Sequence, residues 1–191
     1  TILLKGARLF GFEQISKVLQ QKAHETVLEI NLNAFVHNVN YYKSILNQNT
    51  KLMAMVKAFS YGSGSYEIAN VLQFHRIDYL AVAYTDEGVD LRKSGITIPI
   101  MVMNPEVQSF ESIINYNLEP EIYSFRMLSI FGDLVKQIAR PVAVHIKFDT
   151  GMHRLGFEEM DLPELIVRIK NNKLLEIKSV LSHLAASDEK E

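Results

Sequence analysis

The stretch Leu52-Met53-Ala54-Met55-Val56-Lys57-Ala58-Phe59-Ser60-Tyr61-Gly62-Ser63-Gly64-Ser65-Tyr66 holds the fold in miniature. A strand-sized apolar run ends on a lysine, a glycine-bearing bend follows, and a helical pattern begins. The alternation recurs to the end of the chain. Strand-like runs fall at 52–56, 79–83, 98–103, 119–123, 142–148 and 177–183. Helical spacing predicts helices over 66–74, 85–93, 105–115, 124–137 and 161–171. Thr85, with Gly88 just inside and Gly95 just past Lys93, gives start and stop signals for the second of these. Asp161-Leu162-Pro163 opens the last with an N-cap and an early proline.

Strands alternating with helices predict a parallel sheet covered by helices, and the strands read as nearly continuous apolar runs, as burial on both faces requires. Six βα units fit either an open doubly wound sheet or three quarters of a (β/α)8 barrel. The barrel is favoured because Lys57, Lys147, Arg154 and His183 all sit at or just beyond carboxyl ends of strands, where barrel active sites form. Gly62-Ser63-Gly64 continues to Glu67 where a dinucleotide fingerprint needs a third glycine, and no Gly-Lys-Ser/Thr of a P-loop follows. The fold expected is α/β, an incomplete TIM-like barrel over 51–191. Residues 26–50 lead into it with a strand of period-2 alternation at 26–31, expected to belong to a missing β domain, and a helix from Leu32 to about Leu46. Residues 1–25 read as the tail of a preceding domain plus a linker.

The chain has 191 residues, 48% of them apolar, a mean hydropathy of +0.03, a net charge of -2 and a pI near 6.3. It reads as an ordinary globular protein with no electrostatic reason to bind nucleic acid. Cysteine is absent, which excludes disulfides, thiolate nucleophiles and zinc–thiolate sites and fits a reducing compartment. No apolar run approaches the roughly 20 residues a membrane-spanning helix needs, and the amino terminus lacks a signal-peptide pattern. The expected location is the cytoplasm. The chain lacks an initiator methionine and reads as cut from something longer.

A lysine at the end of a buried strand is partly desolvated, which favours the neutral amine, a nucleophile able to form a Schiff base with an aldehyde. The plain alternative is a lysine whose stem lies on apolar surface while its head reaches water. The adjoining Tyr61-Gly62-Ser63-Gly64 bend tips the balance, since a hydroxyl and free backbone N–H groups beside the lysine suit a phosphorylated aldehyde such as pyridoxal phosphate. A second motif, Lys147-Phe148-Asp149-Thr150-Gly151-Met152-His153-Arg154-Leu155-Gly156-Phe157, follows another apolar strand. Its Asp-Thr-Gly is not an aspartic protease signature here: only one such triplet exists, and the chain alternates with helices. Arg154 could offer a donor fork to a phenolate or carboxylate, or could simply pair with Asp149 while Lys147 reaches water. His145, His153 and His183 have no metal-ligand spacing, so no metal is expected.

With these motifs in this order, residues 26 to 191 resemble the alanine racemases, barrel-type pyridoxal-phosphate enzymes. The resemblance rests on Val27-Leu28-Glu29-Ile30-Asn31-Leu32-Asn33-Ala34, on Val56-Lys57-Ala58 with Tyr61-Gly62, on Asp149-Thr150-Gly151-Met152 with Arg154-Leu155-Gly156, and on Ser182-His183-Leu184-Ala185. Ser63 stands where the family often has His, and His153 where it often has Gly. The resemblance implies that Lys57 carries pyridoxal 5'-phosphate and is the base for one enantiomer of alanine. Tyr61 would bind the phosphate, Arg154 the cofactor's phenolic oxygen, and His183 would lie against its pyridine ring. Lys147 is similar to a family lysine often carbamylated, which could then pair with Arg154. The second base would be a tyrosine of a partner subunit in a homodimer, outside this chain, so the 191 residues by themselves are expected to be inactive. Residues 1–25, especially Ile2-Leu3-Leu4-Lys5-Gly6-Ala7-Arg8, resemble the end of the Mur ligase that adds D-alanyl-D-alanine, which implies a bifunctional fusion serving cell-wall peptidoglycan through D-alanine supply. The competing expectations are a barrel-type decarboxylase, which should lack Gly-Met-x-Arg-Leu-Gly, and a non-catalytic pyridoxal-phosphate carrier.

Overall fold

The structure, a computed structural model, describes residues 27–187. The ligase-like tail expected over residues 1–25 lies outside them. The described residues fall into two units, 27–30 and 31–187. Of the segment 26–31, expected as a strand of a separate β domain, residues 27–31 carry no regular structure here. A strand exists only through its partner, and that partner is expected in the other domain.

Asn31 instead ends the extended segment and caps helix α1 (Leu32–Ile45), its Oδ1 accepting the Ala34 N–H at 3.0 Å. Then follow β1 (Met53–Met55), a bend at Lys57–Tyr61, α2 (Ser65–Phe74), β2 (Tyr79–Val82), α3 (Thr85–Lys93), β3 (Ile100–Val102), α4 (Phe110–Asn115), β4 (Glu119–Ile122), α5 (Phe125–Ile138), β5 (Val142–Lys147), α6 (Leu162–Lys170) and β6 (Leu175–Leu181). Most expected elements appear within two residues of their predicted bounds. The helix expected over 105–115 is shorter, because Val107–Ser109 forms a 3-10 turn ahead of α4. Asp161 precedes α6, but its carboxylate accepts the Glu158 N–H at 2.9 Å rather than capping the helix.

The six strands are parallel and lie in chain order, β1 to β6. Alternate residues therefore face two different environments. One face, with Leu80, Val82, Ile100, Val102, Ile122, Val144 and Ile146, packs on Leu72, Leu91, Phe110, Ile113 and Phe131 of the helices. Phe110 and Phe131 meet edge to face, centroids 4.9 Å apart. Burying each such ring stabilises the fold by roughly 1.5–3 kcal/mol.

The other face is polar, against the expectation of apolar strands throughout. Tyr79 of β2 donates to Glu119 Oε2 of β4 at 3.2 Å. His145 of β5 lies 2.9 Å from the same oxygen through Nε2, and 2.7 Å from Ser179 Oγ of β6 through Nδ1. These contacts report curvature. In a flat sheet β2 and β5, three spacings apart, would hold their side chains about 14 Å from one another. The Tyr79 and His145 rings are 5.7 Å apart, centroid to centroid. The sheet is rolled, polar face inward, into part of a TIM-like α/β barrel.

Closer to the carboxyl ends, Lys147 Nζ lies 2.9 Å from Glu121 Oε1, both residues buried, at 4% and 0% exposure. The ammonium is off the direction of a good hydrogen bond, and neither Glu121 oxygen has a directed donor. Burial pushes the Glu121 carboxyl up and the Lys147 ammonium pulls it back. Removing one partner strands the other charge. Glu121→Leu and Lys147→Met should each lower unfolding free energy by about 3–5 kcal/mol, and the double variant should recover most of that loss. Urea unfolding of the four proteins checks it; additive losses in the double variant would contradict the ion pair.

Candidate active site

Lys57 follows Val56, whose buried side chain and N–H bond to Ala81 O at 2.8 Å end β1 inside the core. Lys57 itself is half-buried at the rim of the sheet's carboxyl end. The residues after it take an uncommon course. Ala58, Phe59, Ser60 and Tyr61 all have left-handed backbone angles, with φ of 51°, 57°, 50° and 57°. A side-chain-bearing residue in that region costs about 1–2 kcal/mol, so the four together are a substantial local strain. Internal bonds offset part of it: Ser60 N–H to Val56 O at 3.2 Å, Gly62 N–H to Phe59 O at 3.0 Å, and Gly64 N–H to Phe59 O at 3.0 Å. Gly62 (φ 91°) and Gly64 (φ 92°) complete the bend at little steric cost before α2 begins. The bend turns Phe59 and Tyr61 outward and Ser60 inward; Tyr61 is 67% exposed. The Ser60 hydroxyl is buried without a hydrogen-bond partner among the described residues.

The second motif forms the end of β5 and the loop after it. Lys147 is the last residue of β5 and is buried on Glu121. Phe157 returns beside the strand, its N–H on Lys147 O at 2.9 Å and its carbonyl taking the Asp149 N–H at 2.9 Å. Gly156 permits this: a Cβ there would lie 2.4 Å from Asp149 N and 2.5 Å from Phe148 C. Asp149 does not pair with Arg154. It accepts the Gly151 and His153 N–H groups at 2.9 and 3.0 Å, with His153 Nδ1 3.5 Å away. Those backbone donors hold its carboxyl below the ordinary range. Arg154 is left exposed in the loop.

His183 is exposed two residues past β6. Lys57 and Tyr61 thus share one bend, and Lys147 and Arg154 one strand end. His183 follows the other edge strand, since β1 and β6 bound the sheet. All five lie at the carboxyl end of the parallel strands. No hydrogen bond or ion pair joins Lys57, Tyr61, Arg154 and His183 to one another among the described residues. Sequence reasoning missed two carboxylates: Glu121, against Lys147, and Glu87, which accepts the Ala58 N–H at 2.6 Å. Acidic residues at i and i+2 in the strand Glu119–Ile122 were the available signal for the first.

This arrangement can present one half-buried amine, a hydroxyl and an exposed guanidinium to a ligand at the barrel mouth. The description "Alanine racemase, N-terminal domain" belongs to the family model that matches residues 30–191. An alanine racemase of Clostridium kluyveri is 38% identical over 171 residues, covering 88% of this chain and 44% of that protein. Alanine racemase 2 of Caldanaerobacter subterraneus subsp. tengcongensis is 33% identical over 169 residues, covering 87% and 43%. Among solved structures, the alanine racemase of Clostridium difficile 630 superposes with a TM-score of 0.80 at 32% identity, over 86% of this chain and 45% of that one. The chain spans less than half the length of these relatives. From the match over 30–191 and the partial barrel it describes, this chain belongs to the alanine racemase N-terminal domain family.

Proposed function

We propose that the chain forms the barrel portion of an enzyme that interconverts L- and D-alanine with pyridoxal 5'-phosphate as its cofactor. The observation that carries this reading is the placement of Lys57: a half-buried amine at the carboxyl end of a parallel strand, followed by a left-handed bend that hydrogen bonds hold in one shape. The residues present fit the cofactor. A primary amine suits its aldehyde, the buried Ser60 hydroxyl of the same bend has no hydrogen-bond partner among the described residues, and Tyr61 brings a second hydroxyl within four residues. Lys57 would hold the aldehyde carbon, Tyr61 the phosphate, Arg154 the phenolic oxygen, and His183 would stand by the ring. Bound there, the cofactor supplies an electron sink that makes the substrate Cα–H acidic.

The chain's own contribution is proton transfer and placement. The Lys57 amine takes the Cα proton on one face of alanine and returns a proton to that face in the opposite direction of reaction. Inversion needs a second base on the other face, which we assign to residues beyond this chain, in a homodimer. Arg154, planar and permanently charged, suits the phenolic oxygen and the substrate carboxylate. Lys147 meets Glu121 here; a carbamate on that lysine, if formed, would have to displace this contact. A cytoplasmic site of action and a role in supplying D-alanine to peptidoglycan complete the proposal. The described residues include no helix long and apolar enough to cross a membrane.

Borohydride reduction of the complete protein in the presence of pyridoxal phosphate, followed by peptide mapping, tests the assignment. The stable adduct should fall on Lys57 and vanish in Lys57→Ala; an adduct on any other lysine would contradict it.

A further inference from the structure

The Lys57 bend is fastened from outside by one carboxylate. Glu87 is the third residue of α3. Its Oε2 accepts the N–H groups of Ala83 and Tyr84 at 2.8 and 3.1 Å, and its Oε1 accepts the N–H of Ala58 at 2.6 Å. The bond to Tyr84 is ordinary helix-start chemistry, a third-position carboxylate returning to the residue ahead of the helix. The bond to Ala58 is not. Ala58 is 29 residues away in sequence and follows Lys57 directly.

The internal bonds of the bend begin at Ser60, so the Ala58 N–H is free to fasten elsewhere. That N–H belongs to the same planar peptide unit as the Lys57 carbonyl. Fixing its direction therefore fixes the rotation about the Lys57 Cα–C bond, and with it the angle between the lysine side chain and the left-handed bend. An ionised acceptor makes such a bond shorter and stronger than a neutral one. Because the same carboxylate also holds Ala83, just past the end of β2, the bend is referenced to the neighbouring strand.

We propose that Glu87 is the positioning residue for Lys57, clamping the Ala58 peptide to the carboxyl end of β2 so that the amine and Tyr61 meet the cofactor in register. This rests on the function proposed above. Glu87 does not touch the reacting atoms; it acts through the backbone.

The test uses the complete protein with Glu87→Asp and Glu87→Gln, measuring pyridoxal phosphate affinity by absorbance titration, hydrogen exchange at the Ala58 amide, and thermal midpoint. Aspartate, one methylene shorter, can still reach Tyr84 but not Ala58. Glutamine presents an NH2 group to one of the two sets of donors. Both variants should lose at least tenfold in cofactor affinity and most of the Ala58 protection, with Glu87→Asp melting near the unaltered protein. Asp86→Asn, in the same helical turn but without a bond to the bend, should change neither quantity. Affinity within twofold of the unaltered protein in Glu87→Asp, or an Ala58 amide still protected, would overturn the proposal. If the unaltered protein forms no borohydride-stable adduct on Lys57, the proposed function fails and this inference with it; an adduct with unchanged variants sinks the inference alone.

Discussion

A strand that delivers its chain through the buried Val56 straight into four left-handed residues leaves little freedom to the lysine between them. That junction is the constraint on which the arrangement of the barrel mouth depends. Val56 is locked to β2 by its backbone, and the residues from Ser60 onward are locked to the bend's own carbonyls. Glu87 closes the remaining gap at Ala58. Backbone strain of this kind persists only where surrounding structure over-determines it. Here the surrounding structure comes from three sources: the parallel pairing of β1 and β2, the start of α3, and the two glycines ahead of α2.

The barrel wall answers a second constraint. A face rolled inward with polar side chains must satisfy them without bulk water. Glu119 does so by receiving Tyr79 and His145, whose other nitrogen reaches Ser179. Desolvation, with Glu119 beside it, pushes the Tyr79 hydroxyl up to about 12, so it remains a donor across the physiological range. One layer further toward the mouth, Glu121 and Lys147 satisfy one another less completely, which leaves charge near Arg154 and the site. The inner wall thus becomes less fully paired toward the end where ligand chemistry is proposed. At the opposite end, Arg92 satisfies the carbonyls of Ile96, Ile98, Tyr116 and Asn117, as suits a face devoted to stability.

Much of this was legible in the residues. Alternating apolar runs and helical spacing were enough to place six parallel strands, while their order followed only from the unusual residues at strand carboxyl ends, which favoured a barrel over a doubly wound sheet. Helix α3 appeared at its predicted bounds because Gly95, at φ 97°, does end it. The polar inner face was not read, although Glu119 with Glu121 and His145 with Lys147 alternate within their strands. Short polar residues inside otherwise aliphatic runs do not reveal which neighbour they will meet once the sheet curls. The Glu87–Ala58 tie was equally hidden, since a glutamate at the third position of a helix already has an ordinary explanation. Residues 27–31 carry no regular structure, as alternation shows what a segment could pair with and the partner expected for it was a separate β domain.

The family places this chain among alanine racemase N-terminal domains, and the function proposed for it turns on one amine, that of Lys57. The most direct measurement is deuterium uptake at Cα when the complete protein is incubated with L- or D-alanine in deuterated water. The account predicts that Lys57→Ala abolishes uptake from both enantiomers, whereas Arg154→Lys slows it while leaving it detectable. Undiminished uptake in Lys57→Ala would contradict the account at its centre.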